Sequence, residues 1–323
     1  MTALVTRLWP YVRLARPDHW FKSAFMLLGV LLALFYQPHL WRLAALPALA
    51  LALFCTCIVA SSNYVLNELL DADRDRLHPV KQNRPAVQGR IRWWPAILEW
   101  LGLGALGVGL AFRLNRVFGV VALALWLMGC VYNIPPVRSK DLPYLDVLSE
   151  SLNNPLRLLL GWHAFIVDRF PPVSLLLAYW MLGAFFMATK RFAEYRHLGD
   201  KERAAAYRSS FRHYDAERLL VSIVFYVTLA ALFLGIFIVR YKLELILAVP
   251  GLAAFLAYYF RLGLLADSPV ETPEKLYQQR ALMLGVLGMA ALCILLMLSD
   301  VPALYDLFNV EPAHFEPLWR LGH

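Results

Sequence analysis

The chain has 323 residues, 60% hydrophobic and only 17% charged, with a formal net charge of +8. So low a charged share, with apolar runs recurring along the whole length, excludes a soluble globular protein and leaves no room for a separate soluble domain. The positive excess follows membrane topology rather than a nucleic-acid-binding face. Cys55, Cys57, Cys130 and Cys293 all sit inside apolar runs, at spacings that suggest neither a zinc site nor a disulfide framework.

Residues 1–19 are short, basic and aromatic, as an interfacial helix would be. The first span, near 20–37, is entered through Arg16-Pro17-Asp18-His19-Trp20-Phe21-Lys22. By composition this is an anchor, with Trp20 at headgroup depth and Lys22 reaching back to the interface. The second span, near 44–66, continues without a turn signal into Asn67, Asp71 and Asp75, which recur every fourth residue. At about 100° and 1.5 Å per residue they form one column about 12 Å long. Carboxylates stacked so closely repel unless a cation lies between them, and Asp and Asn oxygens are hard ligands suited to Mg²⁺ and its phosphate co-ligands. Arg76, Lys81, Arg84, Arg90 and Arg92 follow, supplying the charge a polyphosphate needs. The competing reading is a charged cap on a membrane helix. It explains less well why carboxylates continue the apolar run, because such groups near a membrane usually face a cavity.

Two further spans lie near 94–112 and 117–134, and the fourth ends in Tyr132-Asn133-Ile134-Pro135-Pro136-Val137-Arg138-Ser139-Lys140. The paired prolines end the helix and leave Arg138 and Lys140 on a stiff turn. A fifth span, near 146–166, carries a polar stripe of Asp146, Glu150, Asn153, Asn154 and Arg157. Glu150 and Arg157, two turns apart, are placed either for a structural ion pair or for a substrate contact. The sixth span, near 172–189, leaves through Lys190, Arg191, Glu194 and Tyr195 into a loop with eight basic residues. Lys190 and Glu194 could simply be a helical i,i+4 pair, and the loop a patch on anionic lipid. Spans near 218–239, 243–262 and 281–298 complete nine, and 299–323 forms a polar, aromatic tail. Lys and Arg divide 23 to seven between the two faces, which predicts a cytoplasmic N-terminus with cytoplasmic loops at 67–93 and 190–218, and an extracytoplasmic C-terminus.

The column Asn67, Asp71, Asp75 with Lys81 and Arg84-Pro85 resembles the first aspartate-rich motif of the UbiA superfamily of intramembrane prenyltransferases. Arg16–Lys22 and Tyr132–Lys140 resemble the segments at the corresponding positions of that superfamily. The resemblance implies a single all-α, polytopic membrane domain of about nine helices around a cavity open to the cytoplasmic side, in a bacterial inner membrane. It also implies Mg²⁺ held by Asn67, Asp71 and Asp75. Where the superfamily commonly carries a second aspartate motif, this chain has Lys190-Arg191-Phe192-Ala193-Glu194, which closely resembles the decaprenyl-phosphate phosphoribosyltransferase branch.

On that resemblance the expected reaction moves phosphoribose from phosphoribosyl diphosphate (PRPP) to a polyprenyl phosphate. Asp71, Asp75, Lys190 and Glu194 would be catalytic, and Lys22, Asn67, Lys81, Arg84, Tyr132, Arg138, Lys140, Arg157, Arg191 and Tyr195 substrate-binding. The alternative is prenyl transfer from a prenyl diphosphate to an aromatic or other small acceptor. A transporter fits worse, since the charge clusters sit at one membrane face and not at mid-depth.

Overall fold

The computed structural model describes residues 2–76, 81–271, 276 and 278–311, with side chains from Arg7 onward and Lys81 excepted. Every regular element among them is a helix. The α-helices are α1 (Thr2–Leu14), α2 (Leu27–Tyr36), α3 (Leu46–Asp75), α4 (Trp93–Leu114), α5 (Arg116–Asn133), α6 (Leu145–Ser151), α7 (Asn153–His163), α8 (Val173–Leu198), α9 (Lys201–Tyr207), α10 (Ala216–Tyr241), α11 (Val249–Gly263), α12 (Arg280–Leu298) and α13 (Pro302–Phe308). Among the described residues, eight helices or helix runs are long and apolar enough to cross a membrane. Their outward faces carry Leu28, Leu98, Val224, Leu284, Leu287 and Leu295, all exposed, a surface suited to lipid.

The chain packs as two units. The first holds residues 2–171 with 205–212; the second holds 172–204 with the described residues from 213 on. In the first, α3 is the central element and packs against α4 and α5, and a 3-10 segment, Pro17–Met26, lies against α3 and α7. Ser62 of α3 is satisfied inside this core. It donates to the Trp100 carbonyl at 2.7 Å and accepts from Trp126 Nε1 at 3.0 Å, and the indoles of those two tryptophans stack with centroids 5.5 Å apart. Asn115 caps α5 by accepting from Phe118 N–H at 2.8 Å and donates to the His163 carbonyl at 2.8 Å, tying the α4–α5 corner to the end of α7. In the second unit α8 and α10 pack along each other, and Asp215 caps α10 by accepting from Arg218 N–H at 2.7 Å.

One predicted span takes a different form. The run 146–166 forms two short helices, α6 and α7, instead of one rod. The cause is Pro155, which has no amide hydrogen for the Ser151 carbonyl and so interrupts the helical ladder there. The single rod that would set Glu150 and Arg157 two turns apart on one face is broken with it. Glu150 instead accepts the Tyr132 hydroxyl at 2.5 Å, and Arg157 Nε is buried without a hydrogen bond among the described residues.

Candidate active site

α3 runs unbroken for 30 residues, from an apolar start to Asp75. Asn67, Asp71 and Asp75 therefore stand one turn apart at its C-terminal end, as their spacing predicts. Each carboxylate of that end meets a base. Asp71 Oδ1 accepts from Lys140 Nζ at 2.6 Å and from Arg138 Nη2 at 2.8 Å. Buried Asp75 pairs with Arg84. Glu68, also buried, lies 3.6 Å from Arg16 Nε and accepts from Ala86 N–H at 3.3 Å. Asp141 takes both terminal nitrogens of Arg74, at 2.5 and 3.0 Å, and lies 3.0 Å from Arg138 Nε.

Two of these bases sit on strained backbone. Arg16 and Arg138 both have positive φ, 51° and 29°, a region that side chains other than glycine rarely adopt. Such conformations cost about 1–3 kcal/mol and persist where surrounding contacts over-determine them. Here both residues aim a guanidinium at α3, one at Glu68 and the other at Asp71.

Lys140 is the most enclosed base of the group, at 4% exposure. Its ammonium donates to Asp71, to Asn67 Oδ1 at 3.1 Å and to Asn133 Oδ1 at 2.7 Å, and lies 5.7 Å from the centre of the Tyr132 ring. Burial pushes its pKa down to about 8, against the opposing pull of Asp71. A polar cleft of about 30 Å³ opens among Asp71, Arg74, Asp75, Lys140, Asp141, Tyr207 and Arg208. Arg208 also approaches the fully buried Asp146, at 3.5 Å, which accepts from Ser210 Oγ at 3.2 Å.

The second unit holds a cluster of its own residues on the last turns of α8. Arg191, 2% exposed, donates to Glu194 Oε2 at 2.9 Å, and Lys190 Nζ lies 3.8 Å from Glu194 Oε1. Tyr195 is half-buried beside them in sequence. Beyond it, His197 Nδ1 lies 3.7 Å from Glu271 Oε1, and burial raises the Glu271 carboxyl while His197 draws it back.

Of the residues singled out from sequence, Asn67, Asp71, Arg138 and Lys140 form one contact network, with Tyr132 under the ammonium. Asp75 and Arg84 form the adjoining pair. Lys190, Arg191 and Glu194 form the cluster on α8. Lys22 Nζ lies 3.3 Å from His19 Nδ1, and Arg157 stands on α7. Lys81 opens a short 3-10 turn, and its side chain lies outside the described residues. Sequence reading missed Asn133, Asp141, Arg74 and Arg208 as site members. Asn133 and Asp141 adjoin Tyr132 and Lys140, Arg74 lies within the Asp71–Asp75 stretch, and Arg208 is one of the eight bases of the 190–218 loop.

The donor set suits a hard cation of low ligand demand. Two carboxylates and an amide oxygen on one helix face are oxygen ligands of the kind Mg²⁺ takes, with phosphate oxygens or water completing its octahedron. Among the described residues no three of His, Cys, Asp and Glu converge as a self-sufficient metal cage. A metal here would depend on its anionic partner.

A sequence profile of the UbiA prenyltransferase family matches residues 23–284. The chain belongs to the UbiA prenyltransferase family. This UbiA-family protein is therefore a membrane-bound transferase, all-α and multi-pass. The decaprenyl-phosphate phosphoribosyltransferase of Mycobacterium tuberculosis (strain H37Rv) is 27% identical over 209 residues, 64% of this chain and 67% of that one. The nodulation protein NoeC of Azorhizobium caulinodans is 33% identical over 144 residues, 43% of each chain. Between these two, the matches span 43% to 67% of the relatives' length. A UbiA homolog from Archaeoglobus fulgidus, solved bound to DMAPP and Mg²⁺, shares the fold with a TM-score of 0.66 at 21% identity, covering 90% of this chain and 99% of that one.

Proposed function

We propose that this UbiA-family transferase moves phosphoribose from PRPP to a polyprenyl phosphate and releases diphosphate, with Mg²⁺ as cofactor. The observation that carries the reading is the cluster of Lys190, Arg191 and Glu194 on α8, two cations around one carboxylate, in the segment where the superfamily resemblance leads one to expect a second carboxylate motif. PRPP bears a diphosphate and a separate phosphate, and the acceptor bears another. Three anionic groups need more cations, not more carboxylates. The relatives named as decaprenyl-phosphate phosphoribosyltransferases support the same reading.

Asn67, Asp71 and Asp75 would hold the metal, which supplies positive charge to the departing diphosphate. Lys81 and Arg84 would bind that diphosphate. Arg138 and Lys140, with Lys190 and Arg191, would receive phosphate groups of the two substrates, with Glu194 orienting the last two. Tyr132 would position Lys140 from beneath, and Tyr195, Lys22 and Arg157 would contact substrate. In the reaction an oxygen of the lipid phosphate bonds to the ribose anomeric carbon as the bond from that carbon to the diphosphate oxygen breaks. The nucleophile is already ionised, so no side chain need take its proton. Preorganised bases around the leaving group lower the barrier because they are fixed before charge develops.

The test offers purified protein Mg²⁺, PRPP and a polyprenyl phosphate, and follows pyrophosphate together with lipid mass. Pyrophosphate should appear only when both substrates are present, and Lys190→Ala should raise the apparent KM for PRPP or lipid phosphate about tenfold or more, the scale of one charge-assisted contact. The second reading, prenyl transfer to a small acceptor, draws on Tyr132, Arg138 and Lys140, whose segment is the superfamily's general form. Consumption of a prenyl diphosphate with an aromatic acid, and indifference to PRPP, would decide for it.

The orientation belongs to the same proposal. A cytoplasmic N-terminus and cytoplasmic loops at 67–93 and 190–218 put both clusters where a soluble phosphosugar is available. Gln88→Cys and Arg203→Cys, made on a background lacking the four native cysteines, should resist a membrane-impermeant thiol reagent in intact cells and react after lysis. Ready labelling of intact cells would reverse the topology.

A further inference from the structure

The Lys140 ammonium occupies the oxygens proposed for the metal. It has three hydrogens, and its acceptors at 2.6, 3.1 and 2.7 Å are Asp71 Oδ1, Asn67 Oδ1 and Asn133 Oδ1. Two of the three belong to the metal column, and a full set of three acceptors leaves no hydrogen for a phosphate. Asn133 is a fixed support, 2% exposed and held by its own donation to the Gly129 carbonyl at 2.8 Å. Arg138 Nη2 shares the same Asp71 oxygen at 2.8 Å. A divalent ion drawn to Asp71 therefore meets a resident cation, and like charges a few ångströms apart in a half-buried site repel strongly.

We propose that Lys140 is a displaceable counter-cation that holds the metal ligands in the free protein and yields them when metal and diphosphate arrive together. This rests on the reading that Asn67, Asp71 and Asp75 are the metal ligands. Bare metal competes poorly, because it must expel the ammonium into a cleft whose other carboxylates, Asp75 and Asp141, already meet Arg84 and Arg74. The metal–diphosphate complex brings its own anion. The flexible four-carbon stem lets the ammonium leave Asp71 for a diphosphate oxygen without moving the backbone of Ser139–Asp141. Metal and diphosphate then bind with positive coupling, and by linkage each strengthens the other by the same factor. The protein would select the metal-complexed diphosphate over either component alone.

Lys140→Met separates this role from a merely structural one, because the two affinities should move in opposite directions. Mn²⁺, which accepts the same oxygen ligands, is titrated into purified full-length protein and followed by electron paramagnetic resonance. The Mn²⁺–pyrophosphate complex is titrated separately by calorimetry. In Lys140→Met free Mn²⁺ should bind about tenfold tighter or more, from removal of one like charge beside the ion. The Mn²⁺–pyrophosphate complex should bind about tenfold weaker, from loss of one charge-assisted contact. Lys140→Arg, which keeps the charge, should hold free Mn²⁺ as weakly as the parent does. Arg138 remains on Asp71 in every variant, so the carboxylate is not stranded, and a thermal melt verifies folding. If free Mn²⁺ binds no tighter to a folded Lys140→Met protein, Lys140 is not a displaceable cation. Asp71→Asn distinguishes the two readings: Mn²⁺ binding that ignores this change overturns the metal column itself.

Discussion

Asp71→Asn and Asp75→Asn should each lower turnover by at least about a hundredfold, while Asp73→Asn should stay within about twofold of the parent. The first figure is of the order lost when one preorganised charge-stabilising group is removed. The contrast follows from where α3 points each side chain. Asp71 faces Lys140 and Arg138, and Asp75 is buried against Arg84. Asp73 is 91% exposed on its side chain, where Arg76 lies 3.5 Å from it. Asparagine keeps the shape and one accepting oxygen but removes the negative charge that a hard cation needs. Breaking a buried ion pair can itself cost about 3–5 kcal/mol, so Asp75→Asn needs a melting curve beside its rate. Substrate-dependent pyrophosphate release by all three variants, with melts in detergent, checks the result. Equal losses from all three changes in folded protein would remove the column from the mechanism.

The second large effect is on stability and concerns the crossing of α2 and α7. A Cβ on Gly161 would stand 1.9 Å from the Met26 carbonyl oxygen and 2.8 Å from Val30 N. A Cβ on Gly29 would stand 1.9 Å from the Leu158 carbonyl oxygen. These obstacles are backbone atoms, which no rotamer change can move, so the two helices must separate. The same crossing holds Met26, Val30 and Leu160 in one buried core with Val59 of α3. Gly161→Ala and Gly29→Ala should each destabilise the protein by about 1–3 kcal/mol or more, the range for overpacking a tight core. Gly109→Ala is the control, since nothing lies within 4 Å of its added methyl in α4. It should be neutral or stabilise by up to about 1 kcal/mol, as alanine is the better helix former. Thermal midpoints in one detergent would show the split. An unchanged midpoint for Gly161→Ala would mean that α2 and α7 do not cross so closely.

These two predictions draw on different kinds of information. Asn67, Asp71 and Asp75 could be placed on one face from their spacing alone, because a helix fixes the direction of side chains four residues apart. Arg84 followed from its place in the adjacent loop. The closeness of Gly29 and Gly161 could not be read, because residues so far apart in the chain meet only through packing. Pro155 was visible in the sequence, but an apolar run of membrane length outweighed it, and the fifth span was read as one rod.

What the sequence determined by itself was the class of the protein and the chemistry of its principal helix. Apolar runs of bilayer length have few alternatives to membrane helices, and helical periodicity is a local property that no distant residue is needed to set. Only the tertiary structure decided which base meets which acid. Lys140 reaches Asp71 and Asn133, Arg74 reaches Asp141, and Arg16 reaches Glu68. Most of these pairings join segments more than fifty residues apart, and the basic loops hold many cations of similar reach. Helix packing and the strained turns at Arg16 and Arg138 select among them, because a charge is stabilised by the partner brought within about 3 Å and hardly at all by one left in solvent.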